Sequence, residues 1–313
     1  MTRAVPASIG RRSEDIPAVT MCALPFLRAP LISAAALLGL AALGLGSAAE
    51  ARPRAPKAPP GGAAVVVDYG VNLAGFPIGT AQISGAFEGS RYRMDVSAQL
   101  TGLVGAVTGG QGSARAAGSF SEKPLPNAFS IATRTSNSGI AVRMALANGN
   151  VSRAEITPPL VDMGDRVPVS AAAKRGIVDP ASALLMPAQG RGDLADPANC
   201  NRTLPVFDGA TRFNVVLSYA ETRQIEKPGY SGPVLVCNAR YVAIGGHRPD
   251  RPGVKFMEDN TDMSVWLAPV EGARVLLPMR ISVRTTLGTN IIEATRWSRS
   301  GGTPTAQASL AAH

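Results

Sequence analysis

Histidine is nearly absent: the 313 residues hold two, His247 in a Pro-rich turn and His313 at the last position. Neither has an evident Asp, Ser or Cys partner, so a nucleophilic triad lacks a base. No G-x-S-x-G elbow, phosphate loop or H-E-x-x-H occurs in the chain, and with them go the commonest hydrolase and nucleotide chemistries. The expectation is a protein that is not an enzyme and uses no cofactor and no metal. Aromatic residues are also few, at 5%, whereas there are 33 glycines and 25 prolines. That balance argues against a helical bundle and for many short strands joined by tight turns. A basic helix, a zinc motif and an aromatic RNA-binding signature are all missing, so nucleic acid is not an expected partner.

Cysteine is equally scarce, with Cys22, Cys200 and Cys237. Leu31 to Gly46 (LISAAALLGLAALGLG) is an uncharged run after Arg28, followed by small residues, and reads as the core of a secretory signal. Cleavage is expected after Ala51, with Ala49 as the alternative. An uncleaved anchor is the competing reading, but a run rich in Ala and Gly this short does not suit a bilayer core of about 30 Å. The first twenty residues, with Glu14 and Asp15, look unlike a signal start, and Met21 is a plausible true one. Arg11-Arg12 lacks the apolar residues of a twin-arginine signal, and no cysteine sits in a lipobox. Processing would remove Cys22 and leave Cys200 and Cys237, an even pair in an oxidising compartment, for which a disulfide is the economical outcome and two buried thiols the alternative.

The expected layout is a signal over 1–51, a Pro-rich disordered linker over 52–62, one β-rich domain over 63–299 and a disordered tail over 300–313. Loss of residues 1–51 takes away four Arg and three acidic residues, leaving 27 positive against 19 negative charges. That excess favours anionic partners such as lipid headgroups or cell-wall polymers, or only a solvated basic surface.

Within the domain the two-residue period dominates. Val65, Val67, Tyr69, Val71 and Leu73 alternate with Asp68, Gly70 and Asn72; Tyr92, Met94, Val96 and Leu100 oppose Arg93, Asp95, Ser97 and Gln99; Phe213, Val215, Leu217 and Tyr219 oppose Arg212, Asn214 and Ser218. Further strands are expected over 76–88, 113–121, 127–135, 139–147, 150–156, 233–245, 263–269, 274–287 and 290–298. The short turns between them imply an antiparallel meander. One helix is expected, Asp179 to Met186, with Asp179 as N-cap and Pro180 at its first position. The fold class is all-β: a curled sheet, half-barrel or barrel-like meander with one short helix.

The acidic residues read as turns and caps. Glu258, Asp259 and Asp262 share a loop without EF-hand spacing, Asp162 and Asp165 flank a Met-Gly turn, and Asp208-Gly209 is a hairpin signal. Trp266 and Trp297 fall in strands and suit packing. The basic stretch His247 to Lys255 offers Arg248, Arg251 and Lys255 as a rim that could hold an anionic headgroup, with a solvated hairpin tip as the alternative.

The segments VDYGVNLAGFPIGTAQIS, DPASALL, VFDGATRFNVVL, VWLAP and LLPMRISVRT, with Cys200 and Cys237 between them, together resemble Domain of Unknown Function 3108 over about residues 65 to 297. The resemblance implies an exported protein of the Gram-negative envelope and supplies no catalytic residue. The layout is also distantly similar to outer-membrane lipoprotein carriers, on architecture alone. The expected function is a periplasmic non-catalytic binding or carrier module for an apolar or amphipathic envelope component, with a lipid or anionic ligand as partner. The alternative is a structural envelope protein contacting cell-wall polymer or another protein.

Overall fold

The computed structural model describes residues 62–161 and 164–300. The expected signal, nearly all of the linker, the tail beyond Ser300 and Asp162 lie outside them. Fourteen strands form one antiparallel sheet, and they begin where the alternation is cleanest: β1 (Ala63–Leu73), β2 (Phe76–Glu88), β3 (Arg91–Leu100), β4 (Gln111–Phe120), β5 (Pro124–Arg134), β6 (Gly139–Ala147) and β7 (Asn150–Thr157). Each pairs with the next through a short connection, which is the meander read from the sequence.

The second series comprises β8 (Met186–Pro187), β9 (Arg202–Phe207), β10 (Arg212–Lys227), β11 (Tyr230–Gly245), β12 (Met263–Val270), β13 (Val275–Thr285) and β14 (Gly288–Ser300). The first strand pairs with the last, so the sheet order is β7-β6-β5-β4-β3-β2-β1-β14-β13-β12-β11-β10-β9, with β8 alongside β13. That one long-range pairing joins the two series into a single curled sheet.

The edges are brought together by the chain between them. Ile177 N–H donates to Gly149 O in the β6–β7 turn (2.9 Å), while Val178 N–H donates to Pro205 O (2.9 Å) and its carbonyl accepts from Phe207 N–H (3.0 Å) beside β9. The Asp208-Gly209 turn, read from the sequence as a hairpin, connects β9 to β10. A Cβ on Gly209 (φ 102°) would lie 2.5 Å from Val142 Cγ1 on β6, so the close approach requires glycine there.

Beyond Val178 the chain dives into the curl. The helix expected over Asp179 to Met186 is instead a single 3-10 turn, Ser182–Leu184, because Met186–Pro187 is drawn out to pair with Val275 and Leu276 of β13. Asp179 still caps it, accepting from Ala181 N–H (3.0 Å) and Ser182 N–H (2.9 Å).

Ile177, Ala181 and Leu185 of this turn, with Phe207, pack among the inward residues Val67 of β1, Met94 of β3, Phe129 of β5, Met144 of β6 and Leu277 of β13. A second cluster joins Leu204, Phe213, Leu235, Tyr241 and Leu267 to Met186 and Ala188. The concave surface that the alternating strands create is therefore covered by the crossover chain. Burying each large aliphatic or aromatic side chain there contributes about 1.5–3 kcal/mol.

Two short α-helices were not expected: α1 (Gly102–Thr108) between β3 and β4, and α2 (Pro252–Asp259) between β11 and β12. The second corrects the reading of His247 to Lys255 as a hairpin tip and of Glu258 and Asp259 as loop residues. Arg251 is its N-cap and Pro252 its first residue, the position where proline's missing N–H costs nothing.

Candidate functional site

The three cations expected as a rim stand in different settings. Arg248 is 8% exposed, and its Nε lies 2.9 Å from Asp165 Oδ2. Around it residues 165–167 and 246–248 clasp: Gly246 N–H donates to Val167 O (2.6 Å), Val167 N–H to His247 O (2.9 Å) and Arg166 Nη1 to Gly246 O (2.8 Å). Arg251 caps α2, and Lys255 is exposed on that helix. Arg248 thus fastens a loop where the sequence had offered it to a ligand.

Cys200 and Cys237 are bonded, with Cα atoms 5.4 Å apart and both side chains fully buried in the second cluster. The bridge ties the loop before β9 to the middle of β11.

The most chemically suggestive interior groups are two repeats of one pattern, Asp-x-x-Ser/Thr. Ser182 Oγ donates to Asp179 Oδ2 (2.5 Å), and Thr211 Oγ1 donates to Asp208 Oδ2 (2.5 Å). Each carboxylate also accepts two backbone N–H groups from its own turn. Tyr92 OH lies 2.7 Å from Ser182 Oγ, which ties β3 to the crossover. Burial pushes the Asp179 carboxyl up to about 6, raises Asp208 likewise, and holds the Tyr92 hydroxyl far above its usual range. Asp179 and Ser182 have no exposed surface, so the hydroxyl–carboxylate pairs cap turns and meet no substrate.

Trp297 is buried, as its strand position suggested. It anchors the long β10–β11 hairpin, which pairs with β12 only over Leu235–Asn238 and lays its tip on β14. Trp297 N–H donates to Pro228 O (2.8 Å), its ring lies 5.3 Å from that of Tyr230, and Lys227 Nζ is 2.8 Å from Glu293 Oε1. The Trp266 ring is flanked by the guanidiniums of Arg223 and Arg280, at 5.1 and 5.3 Å from its centre.

What remains is a set of loops at one end of the sheet that sequence reasoning passed over, beside the charged connection 246–262 at the same end. The windows 69–87, 96–114, 135–142 and 285–292 contain no Asp, Glu, Lys or Arg. Antiparallel pairing brings all four to the same end, and hydrogen bonds join them: Ala74 N–H to Thr289 O (3.0 Å), Thr101 N–H to Ile78 O (3.0 Å) and Ser136 N–H to Thr108 O (2.8 Å). From this end project Phe76, Leu103, Val107 and Leu287, exposed by 72, 87, 67 and 56%. The helix α1 buries none of its residues. Isolated exposed apolar side chains are ordinary, but four on adjoining charge-free loops make a candidate interaction surface. Absence of charge along each window was the available signal; which windows share an end depends on the register.

A family model described as Protein of unknown function (DUF3108) matches residues 66–295. Among curated proteins nothing matches the chain. Among solved structures, a β-barrel-like protein of Domain of Unknown Function 1849 from Brucella abortus is 8% identical, with 77% of this chain and 98% of that one covered and a TM-score of 0.43. A hypothetical protein from Chlamydia trachomatis is 10% identical, with 76% and 89% covered and a TM-score of 0.24.

Proposed function

We propose that this chain, which belongs to the DUF3108 family of proteins of unknown function, is a non-catalytic binding module of the bacterial cell envelope that engages an apolar or amphipathic component through the charge-free loops at one end of its sheet. Export rests on the apolar run Leu31 to Gly46 and on a disulfide between the only two cysteines beyond it. The observation that carries the function is the set of protruding side chains Phe76, Leu103, Val107 and Leu287 on four adjoining loops without a charge. Loops held on a rigid sheet are where binding residues concentrate.

Carriage of an acyl chain inside the curl is less well supported. Such a ligand would have to displace Leu185, Met94 and Leu277, none of which has exposed surface, and close-packed interiors resist displacement.

Cell fractionation tests the reading. The parent protein is expected to sediment with envelope fragments, and a variant with Phe76→Ser and Leu103→Ser to stay in the soluble periplasmic fraction. Equal partition of the two would remove the charge-free loops from the function.

A further inference from the structure

The shape and hydrogen bonding of the same end narrow its partner to a lipid bilayer. We propose that the charge-free loops at this end insert shallowly into one leaflet of a membrane, with Phe76, Leu103, Val107 and Leu287 reaching the boundary between headgroups and acyl chains. This rests on the binding-module reading and names its partner.

Three observations favour a bilayer over a folded protein. First, the four side chains stand at hairpin tips and on a helix that buries nothing, and each is more than half exposed. Single side chains protruding from separate loops suit a fluid leaflet, which closes around each tip. Second, several backbone polar groups of these loops are paired within the protein. Besides the three bonds joining the loops, Leu100 N–H donates to Gly110 O (2.8 Å), Gly105 N–H to Thr101 O (3.1 Å), Gly109 N–H to Gly105 O (2.7 Å), and Thr108 Oγ1 to Val104 O (2.7 Å). Such pairing matters most where water cannot supply partners.

Third, the outer wall is unsuited to lipid. Arg93, Asp95 and Arg115 stand on the outer face of β3 and β4, and Glu221 and Arg223 on β10, while the apolar residues point inward. This is the reverse of a membrane-spanning barrel, which turns its apolar residues outward. Contact is therefore by the end and not the wall.

Charge does not supply the attraction. Arg134 and Arg284 are the first charges behind the tips of β5 and β13, Arg284 N–H donates to Asp262 O (3.0 Å), and the neighbouring connection 246–262 at the same end carries Arg248, Arg251 and Lys255 against Asp250, Glu258, Asp259 and Asp262. The insertion is apolar and is expected to tolerate salt, in contrast to attraction of a basic surface to anionic headgroups.

Sedimentation with vesicles of phosphatidylethanolamine and phosphatidylglycerol tests this, using the processed chain that begins near Arg52 and so contains every described residue. The parent is expected to bind at low and high salt alike. Phe76→Ser with Leu103→Ser is expected to weaken binding roughly tenfold or more, since each large side chain contributes about that factor when buried. Val242→Ser with Ile244→Ser, on the exposed wall of β11, is expected to bind as the parent does. All these residues are exposed, so unchanged melting of the variants is the check on folding. Binding abolished by salt, or retained by the tip variant, overturns the proposal. If the parent ignores vesicles yet the tip variant still leaves the envelope fraction in cells, the bilayer is wrong and the wider reading stands. If neither effect is seen, both fall.

Discussion

Replacing Asp179 by Asn isolates the electrostatic cost of the turn that fills the curl. The carboxyl is buried and pushed up from 3.8 to about 6, with burial the largest cause and its hydrogen bonds from Ser182 and Ala181 opposing it. Between these two values the folded protein holds a proton that the unfolded chain has released. Stability contributed by this group is therefore highest below about pH 4 and falls as the pH rises to about 6, after which it is level. Two pKa units correspond to about 3 kcal/mol. Asn keeps an oxygen for the N–H groups of Ala181 and Ser182, and its amide can donate to Ser182 Oγ, whose bond with Tyr92 OH works in either direction. Urea unfolding of parent and Asp179→Asn from pH 4 to pH 7 is the assay. The stability of the parent minus that of the variant is expected to drop by about 2.4 kcal/mol across this range, the rest of the effect lying below pH 4. A difference that is flat, or that rises with pH, would refute the assignment of Asp179 as a buried carboxylate stabilised in its protonated form.

Other substitutions follow from particular contacts. Cys200→Ser with Cys237→Ser removes a bridge between residues 37 apart in sequence, and a loss of about 4 kcal/mol in chemical denaturation is expected from chain entropy. At Gly229 (φ 84°) an added Cβ would lie only 1.8 Å from Trp297 O, so Gly229→Ala should undock the β10–β11 tip from β14 and cost upward of about 1–3 kcal/mol; faster hydrogen exchange at Trp297 N–H would report it. Arg248→Glu sets a carboxylate against Asp165 and is expected to lower the melting temperature, whereas Lys255→Glu on the exposed helix face should leave it within about ±0.5 kcal/mol of the parent.

The strands were legible because each inward face is apolar and each outward face polar, and the disulfide because only two cysteines follow the apolar run Leu31 to Gly46. Their partners were another matter. Val67 meets Trp297, its partner at the far end of the chain, and no local pattern encodes that pairing. The short helices were hidden by their glycines, with Gly102 and Gly105 in α1 and Gly253 in α2 reading as turn signals. The expected helix at Asp179 shrank to one turn because β13 claims Met186 and Pro187. Propensity sees the cap and not the competing strand.

At the site, three cations in nine residues are evident in the sequence, but the pairing of Arg248 with Asp165, in a segment remote in sequence, is not. Four windows with no charge at all are equally readable there, and only the antiparallel register places their tips at one end.

The most direct test of that end's role is site-specific fluorescence. A single Leu103→Cys labelled with nitrobenzoxadiazole, in the chain that begins near Arg52 and whose two native cysteines, Cys200 and Cys237, are bonded to each other, reports the polarity around α1 when envelope vesicles are added. The same label at Glu122→Cys, in the exposed turn at the other end of β4, serves as the reference. The account predicts a blue shift and quenching by lipid-borne quenchers at position 103, with none at 122. Equal spectra at the two positions, or a shift at 122 alone, would contradict it.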